Sequence, residues 1–265
     1  MKENRFQRAI GEGRMPKGHM LMEFGTRGIA KILEACGLDY AVIDMEHTGF
    51  DADHVADLLA WFKATDIAPF VRLPQGLYHF IARTMDAGAL GIMVGNVETP
   101  EHARSIVDAV KYAPMGKRGV GLGTAHTDYK QPDVETYFDY SNRNTTVICQ
   151  IESPIGVANA EAIAAIPGVD VLWVGQFDLS VQMGLPGKFE HPEFLAAMTK
   201  VVEVAKRHGK LAAIQPGNLQ QAEAWMRIGF QVVSWKVDIA LYRAALTSEL
   251  EQLEAVRKRV LSSVS

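Results

Sequence analysis

The stretch Tyr40-Ala-Val-Ile-Asp-Met-Glu-His47 sets the fold class of this chain. It begins as an apolar run of strand-forming residues and ends in three ionisable side chains, Asp44, Glu46 and His47. A strand that is buried on both faces and ends in such groups is typical of the active rim of a parallel α/β protein. The alternative is that the acids satisfy loop amides and cap the next helix, while His47 lies on the surface. The same pattern recurs later in the chain, and this recurrence favours the active rim.

Strand-like and helix-like segments alternate along the whole chain. Eight strands are expected, each followed by a helix, near residues 19–24, 40–45, 67–73, 90–94, 147–151, 171–174, 210–214 and 231–235. Eight such units predict a TIM (β/α)8 barrel that forms a single domain over residues 1–265. An open doubly wound sheet is the alternative, but Phe24-Gly-Thr-Arg-Gly28 is a poor match to the glycine-rich phosphate turn of that fold.

Two segments depart from the regular alternation. Residues 113–144 predict a long loop, and a loop of that length inside a compact domain is usually functional or disordered. Its aromatic residues, among them Tyr137 and Phe138, favour order. The chain then ends in a long helix, expected from Ile239 to about Val260, with apolar residues at helical spacing.

Bulk composition excludes several classes of protein. A net charge of −4 and a pI near 6.1 give no basic surface for nucleic acid or an anionic membrane. Two cysteines imply no disulfide framework, so Cys36 and Cys149 are expected to be buried thiols. No apolar run is long enough for a transmembrane helix, and the first residues lack the core of a signal peptide. A soluble cytoplasmic protein is therefore expected.

The active site of a TIM barrel lies at the carboxyl ends of its strands, where polar side chains recur in this chain. In strand order these residues are Glu23; Asp44, Glu46 and His47; Arg72; Gln150 and Glu152; Gln176 and Asp178; Gln215; and Lys236 and Asp238.

Glu152 and Asp178 follow two neighbouring predicted strands. Two carboxylates at adjacent rim positions, completed by water and substrate oxygens, predict an octahedral Mg²⁺ or Mn²⁺ site, with Co²⁺ as a further candidate. The alternative is that each carboxylate caps the helix that follows it. For either residue alone the cap is the better interpretation, but the pair beside Arg72 and His47 favours the metal site.

Three further residues predict the chemistry. Arg72 ends a strand, where its planar guanidinium suits a carboxylate or an enolate oxygen. His47 is a candidate general acid and base, because the pKa of histidine lies near working pH. Asp86 ends a helix, where the dipole disfavours a carboxylate, so it needs a partner, and His47 is one candidate. Lys236 offers a less favoured alternative, a Schiff base, if it points into the barrel in place of Trp235.

The order and spacing of several motifs resemble those of the HpcH/HpaI aldolase family, the metal-dependent class II pyruvate aldolases related to 2,4-dihydroxyhept-2-ene-1,7-dioate aldolase. The resemblance runs from about Gly18 to Leu246. The motifs are Gly37-Leu-Asp-Tyr-Ala-Val-Ile-Asp-Met-Glu-His47, Val71-Arg72, Asp86-Ala-Gly-Ala89, Ala113-Pro-Met-Gly-Lys-Arg-Gly-Val-Gly121, Gln150-Ile-Glu152, Gly175-Gln-Phe-Asp-Leu-Ser180 with Met183-Gly184, and Val237-Asp238.

The resemblance implies a role for each matching residue. Glu152 and Asp178 match the metal-binding carboxylates, and Arg72 matches the arginine that holds the pyruvate oxygen. His47 with Asp86 matches the acid/base pair, and Asp44 matches a supporting acid. The remaining matches are Gln150, which lines the pyruvate site, Gln176 and Phe177, which stand in a substrate-binding motif, and Arg118, which has no assigned role. Family members commonly form hexamers in which the terminal helix packs on a neighbour, so a homo-oligomer is expected.

The chain departs from the family pattern at the rim. Val94-Gly-Asn96 stands where relatives often have Val-Pro-Met, and Gly175-Gln-Phe-Asp178 replaces Gly-Pro-Ala-Asp. Gly123-Thr-Ala-His-Thr127 replaces an Ala-Arg-Ala type sequence, and Ser234-Trp-Lys236 stands where small residues are usual. These changes leave the identity of the aldehyde open.

Together the residues and the resemblance predict an aldolase or retro-aldolase that acts on 4-hydroxy-2-oxo acids through a pyruvate enolate. The expected ligands are a 2-oxo acid, an aldehyde and a divalent metal ion. One alternative is another enolate reaction at the same site, such as oxaloacetate decarboxylation. A second is a catalytically silent barrel that binds a carboxylate ligand.

Overall fold

The computed structural model describes residues 1–264 and contains a closed barrel of eight parallel strands, paired in chain order. This confirms the predicted TIM barrel. The strands are β1 (Lys17–Leu21), β2 (Tyr40–Asp44), β3 (Ala68–Leu73), β4 (Gly91–Val94), β5 (Thr146–Ile151), β6 (Val171–Val174), β7 (Leu211–Ile214) and β8 (Val232–Val237).

Helices surround the barrel, and at least one follows every strand. They are α1 (Arg5–Gly11), α2 (Ile29–Ala35), α3 (Ala52–Phe62), α4 (Tyr78–Ala87), α5 (Pro100–Val110), α6 (Val134–Asn144), α7 (Pro154–Ala158), α8 (Ala160–Ala164), α9 (Gln176–Gln182), α10 (Pro192–Arg207), α11 (Leu219–Ile228) and α12 (Asp238–Val264). Two short helices, α7 and α8, lie between β5 and β6.

The alternation of side chains along each strand divides the core into two layers. Every residue of β2 is buried, because one face meets the barrel interior and the other meets the helices. Tyr40 and Val42 belong to the interior cluster, while Ala41 and Ile43 belong to the layer between strands and helices. The next inward position on β2 is Asp44, so the same alternation directs this carboxylate to the interior of the rim.

Helix α1 closes the amino-terminal end of the barrel. Its Phe6 is buried and contacts the rings of Tyr40 and Phe70 edge to face, each at 5.2 Å between ring centroids. The apolar interior of the barrel is therefore covered by Phe6 at this end. No sequence pattern predicted α1, because only two of its residues are buried.

The segment 113–144, predicted as a loop, contains a helical turn at Ala125–Thr127 and the whole of α6. Phe138 stacks on Tyr112 at 4.2 Å, which fits the prediction that the aromatic residues order this segment. The expectation of a long loop was wrong for residues 134–144, whose start is fixed by Asp133 accepting a hydrogen bond from the Thr136 amide at 3.0 Å.

Strand β8 carries an irregularity where it pairs with β1. Gly18 pairs with Ser234 and Met20 with Val237, so three residues of β8 span two of β1. This is the pairing of a β-bulge, and it interrupts the in–out alternation at Trp235 and Lys236. Beyond it the long helix α12 begins, as the spacing predicted. Within residues 1–264, no helix is both long and apolar enough to cross a membrane.

Candidate active site

Three strands place polar side chains at the carboxyl-terminal mouth of the barrel. Asp44 on β2 pairs in register with Arg72 on β3. On β5 the interior residue Ile148 is followed two residues later by Gln150 and, just past the strand, by Glu152. Inward alternation on neighbouring strands therefore stacks this polar layer directly above the apolar interior.

Arg72 is held by a buried two-point contact with Asp44. Its Nε and Nη2 donate hydrogen bonds to the two carboxylate oxygens of Asp44 at 2.8 and 2.7 Å. Burial disfavours the guanidinium charge, but the hydrogen bonds and charges of Asp44, Glu46 and Glu152 outweigh it and raise the pKa of Arg72. Arg72 is thus a fixed cation. Asp44 orients this arginine, whereas the family resemblance implied a supporting acid near the histidine.

Glu46 connects this pair to His47. Its Oε2 lies 3.3 Å from Arg72 Nη1 and 3.7 Å from His47 Nε2. The same oxygen is buried and has no hydrogen-bond partner among the described residues. Glu46 was expected at the rim but without an assigned role. Its position two residues after Asp44 was the available signal, since alternate residues share a face.

Glu152 lies in a cradle of donors at the end of β5. One carboxylate oxygen accepts a hydrogen bond from the Gln150 side-chain amide, and the other accepts one from the Asn96 backbone amide at 2.6 Å. Burial, together with the carboxylates of Asp178 and Glu46, raises the pKa of Glu152 despite these donors. Gln150 is buried, and its own amide oxygen has no partner within residues 1–264.

Two glycines make room for that carboxylate. A Cβ on Gly175 would lie 2.8 Å from Glu152 Cβ, and a Cβ on Gly95 would lie 2.9 Å from Glu152 Oε1 and 3.1 Å from Glu46 Oε1. Both glycines stand in segments where the chain departs from the family pattern. At these two points the backbone approaches the carboxylates more closely than any side chain would permit.

The helix-cap alternative fails for Glu152. Ser153 caps α7 instead, with its hydroxyl accepting a hydrogen bond from the Gly156 amide at 3.0 Å. Asp178 lies in the first turn of α9, and Gly175 occupies the cap position of that helix without a side-chain bond. Asp178 is exposed and faces the mouth of the barrel. Its proximity raises the pKa of Glu152, so the two carboxylates interact.

A cavity of about 870 Å³ opens at this mouth. Six of the residues that line it were predicted to act in catalysis, substrate binding or metal binding, namely His47, Arg72, Gln150, Gln176, Phe177 and Asp178. The side-chain amide of Gln176 donates a hydrogen bond to the Gln215 backbone carbonyl at 2.7 Å. This bond links the start of α9 to the residue that follows β7. Phe177 is exposed and packs edge to face on Phe189 at 5.0 Å between centroids. Lys236 also lines the cavity, and the bulge explains its inward direction.

The structure does not bring Asp86 to His47. Asp86 instead forms an ion pair with the buried Arg118, and its Oδ1 lies 3.8 Å from His126 Nδ1. The expected pairing is therefore corrected for this chain taken alone. Arg118 supplies the positive charge that Asp86 needs at the carboxyl end of α4. The segment after α5 folds back against α4 and so brings Arg118 to Asp86. The path of that segment was not readable from sequence.

Burial and the nearby Arg118 charge lower the pKa of His126 to about 4, against the opposing effect of Asp86. The Tyr112 hydroxyl lies 3.3 Å from His126 Nε2, and the Thr124 hydroxyl lies 2.9 Å from Nδ1. His126 is thus a neutral, hydrogen-bonded residue near neutral pH. It orders the segment around Asp86 and lies outside the residues that line the cavity.

The chain is similar to proteins of one known family. The model of the HpcH/HpaI aldolase/citrate lyase family matches residues 24–245. A hydroxypyruvate/pyruvate aldolase of Roseobacter denitrificans is 32% identical over 239 residues, 90% of this chain and 92% of that protein. A 5-keto-4-deoxy-D-glucarate aldolase of Klebsiella pneumoniae is 35% identical over 215 residues, 81% of this chain and 83% of that protein.

Solved structures agree with this comparison. The crystal structure of an HpcH/HpaI aldolase from Desulfitobacterium hafniense superposes with a TM-score of 0.88 at 28% identity, covering 94% of this chain and 96% of that one. The likeness therefore covers the whole barrel. This chain belongs to the HpcH/HpaI aldolase/citrate lyase family.

Proposed function

We propose that the protein is a divalent-metal-dependent aldolase that cleaves or forms 4-hydroxy-2-oxo acids through the enolate of pyruvate. The observation that carries the proposal is the joint position of Arg72, His47 and Asp178 at one cavity mouth, with the buried carboxylate of Glu152 close enough to interact with Asp178. The family relatives named above are aldolases of 2-oxo acids, which supports carbon–carbon lyase chemistry here.

The residues present fit a divalent cation. Glu152 is buried next to the charges of Asp178 and Glu46, and a cation between Glu152 and Asp178 would relieve that repulsion. Among the described residues no three His, Cys, Asp or Glu side chains form a metal site, which leaves the other ligand positions to water and substrate oxygens. Such mixed oxygen ligation suits Mg²⁺ or Mn²⁺. When bound, the ion supplies Lewis-acid polarisation of the 2-oxo group.

The chain's own residues account for the remaining steps of cleavage. His47, exposed at the cavity mouth, takes the proton of the C4 hydroxyl. The C3–C4 bond then breaks, C4 leaves as the aldehyde, and the electron pair on C3 becomes the pyruvate enolate. Arg72, oriented by Asp44, donates Nη1 to the oxygen that gains charge. The proton that His47 took then passes to C3, which completes pyruvate and restores the base, and addition follows the reverse order.

The test is pyruvate release from a panel of 4-hydroxy-2-oxo acids, before and after EDTA treatment and with Mg²⁺, Mn²⁺ or Co²⁺ added back. Loss with EDTA and recovery with metal are expected. Glu152→Gln should abolish Mn²⁺ binding measured by calorimetry while leaving the circular dichroism spectrum unchanged. Activity that resists EDTA and is trapped by borohydride would contradict the metal assignment. Release from oxaloacetate alone would replace the aldolase by a decarboxylase.

The terminal helix supports an oligomer. In α12, Leu250, Leu253, Val256 and Val260 recur at helical spacing, and each is at least 43% exposed. A contiguous apolar face of this kind on a soluble chain is typical of a subunit interface. The proposed partner is a second copy of this chain, and the proposed assembly is the hexamer common in the family. Light scattering of Leu250→Glu/Leu253→Glu should then show a smaller particle than the unchanged protein.

A further inference from the structure

Lys236 occupies a backbone conformation that lysine rarely adopts. Its φ is 55°, in the left-handed region, where a residue with a Cβ is strained. The residue lies in the bulge of β8, one position before the strand ends. Bulges next to active sites redirect side chains, and the strain is retained where the redirected side chain has a use. Glycine would fit this backbone without strain, so the presence of lysine calls for an explanation.

The side chain of Lys236 points into the cavity already described. It is half-buried and lines the same cavity as His47, Arg72 and Asp178. Its ammonium lies 5.3 Å from the centroid of the Trp235 ring, and no carboxylate within residues 1–264 lies within 4 Å of it. A cation that lines a concave surface without a protein counter-charge raises the local concentration of anions.

A second cation lies on the same wall. Arg243, in the second turn of α12, also lines the cavity and makes no ion pair with any described carboxylate. Among the described residues that line the cavity, two are acidic, Asp178 and Glu251. Asp178 belongs to the carboxylate pair, so Glu251 is the remaining acid beside these two cations. The wall built from β8 and α12 therefore carries two cations, Lys236 and Arg243, against one acid, Glu251.

The strand order places this wall across the barrel from the residues that are proposed to bind the 2-oxo acid. Arg72 is on β3 and Glu152 follows β5, and each of these strands is three positions around the ring from β8. A 2-oxo acid held by Arg72 and the carboxylate pair presents its C3 to the open cavity. The aldehyde carbon bonds to C3, so the rest of the aldehyde extends away from Arg72 and towards the far wall.

We propose that Lys236, assisted by Arg243, binds an anionic group at the far end of the acceptor aldehyde. The substrates are then 4-hydroxy-2-oxo acids whose distal end carries a carboxylate or a phosphate. This specificity rests on the aldolase function proposed above and deepens it. The role of Lys236 is electrostatic, since the carbon–carbon bond is made and broken at Arg72, His47 and the carboxylate pair.

The experiment compares three acceptors with pyruvate and Mn²⁺: 4-oxobutanoate, glyceraldehyde 3-phosphate and the neutral butanal. The quantity is the ratio of kcat/KM for each anionic aldehyde to kcat/KM for butanal. Lys236→Met keeps the length without the charge and should lower the ratio by at least about tenfold, mainly through KM. Lys236→Arg should retain most of the ratio. Whichever anionic acceptor shows the larger ratio in the unchanged protein identifies carboxylate or phosphate.

Two control variants are needed. One separates the effect of the Lys236 charge from that of its backbone strain, and the other separates it from a change in the net charge of the protein. Lys236→Gly relieves the left-handed backbone and removes the charge, so it should be at least as stable as Lys236→Met and equally unselective. Lys188→Met removes an exposed lysine that does not line the cavity, and it should leave the ratio within twofold. A ratio that falls equally in Lys188→Met would mean that overall charge governs selectivity and would overturn the proposal.

A binding measurement keeps the proposal testable without turnover. Tryptophan fluorescence should report binding of 2-oxoadipate and of the neutral-tailed 2-oxohexanoate, because Trp173 lines the cavity. The unchanged protein should bind 2-oxoadipate more tightly, and Lys236→Met should remove the difference. Equal binding of the two ligands by the unchanged protein overturns the specificity, whereas unequal binding without aldol activity refutes only the aldolase. Borohydride trapping of pyruvate at Lys236 would make it a nucleophile and also overturn the proposal.

Discussion

Replacing Asp44 by Asn tests whether the buried contact with Arg72 holds the candidate site together. Asp44 is fully buried, and both of its carboxylate oxygens accept hydrogen bonds from the guanidinium, at 2.8 and 2.7 Å. In Asp44→Asn one oxygen becomes an amide NH₂, which faces a guanidinium N–H as one donor faces another. The charge of Arg72 then stays buried, with Glu46 at 3.3 Å and the charge of Glu152 as its remaining compensation.

Removal of one partner from a buried ion pair costs about 3–5 kcal/mol. Because Glu46 compensates in part, we expect Asp44→Asn to lower the free energy of unfolding by about 3 kcal/mol. For a chain of this size, that change lowers the melting temperature by roughly 6–12 °C. Since a displaced Arg72 no longer meets the enolate oxygen, kcat for pyruvate release should fall by about a hundredfold or more.

The assay is equilibrium urea unfolding, monitored by circular dichroism, of Asp44→Asn and a matched control. Asp139→Asn removes the acid of the exposed Asp139–Arg143 pair one helical turn apart on α6, and it should cost less than about 0.5 kcal/mol. Adding Arg72→Met to Asp44→Asn should recover part of the lost stability, because it removes the uncompensated charge. Equal destabilisation by Asp44→Asn and Asp139→Asn would refute the reasoning.

Three further outcomes are expected. In Gly175→Ala the new methyl group displaces the Glu152 carboxylate, so Mn²⁺ affinity measured by calorimetry should fall by about tenfold or more; unchanged affinity would remove Glu152 from the metal site. Glu46→Gln removes the charge next to His47 and should lower kcat by about tenfold with little effect on KM, a split that steady-state kinetics would show or contradict. Folding lowers the pKa of His126 to about 4, so the unfolded chain binds more protons there as the pH falls below about 6.5. The free energy of unfolding should therefore fall as the pH falls from about 6.5 towards about 4. Urea unfolding at pH 7 and pH 5 should show a smaller decrease for His126→Asn than for the unchanged protein.

The regular features of the fold were predictable because they depend on local pattern. The apolar stretch 40–43 and its equivalents identified the eight strands, and the strand ends predicted Arg72, Glu152 and Asp178 as candidate site residues. Successive residues of a strand face opposite sides of the sheet, so this alternation can be predicted without knowing the tertiary contacts. The prediction that residues 1–265 form a single domain stays a prediction.

The features that were missed depend on contacts between distant segments. Asp86 pairs with Arg118 because the segment after α5 returns to α4, and no local pattern records that return. The direction of Lys236 depends on a bulge that exists only in the pairing of the last strand with the first. Helix α1 forms because Phe6 meets two rings inside the barrel, not because its own sequence is strongly helical.

The closing of the ring by β1 and β8 has a consequence for the order in which the chain can fold. These two strands lie more than 200 residues apart, yet β1 pairs with β8 in the finished barrel. At a synthesis rate of about 5–20 residues per second, the free edge of β1 waits roughly 10–40 s on the ribosome before β8 emerges. Asp238, directly after β8, then accepts hydrogen bonds from the amides of Met22, Glu23 and Phe24, and so joins the two ends of the chain. A nascent chain that stops short of this residue presents an open sheet edge, which makes it a substrate for chaperones and a seed for aggregation.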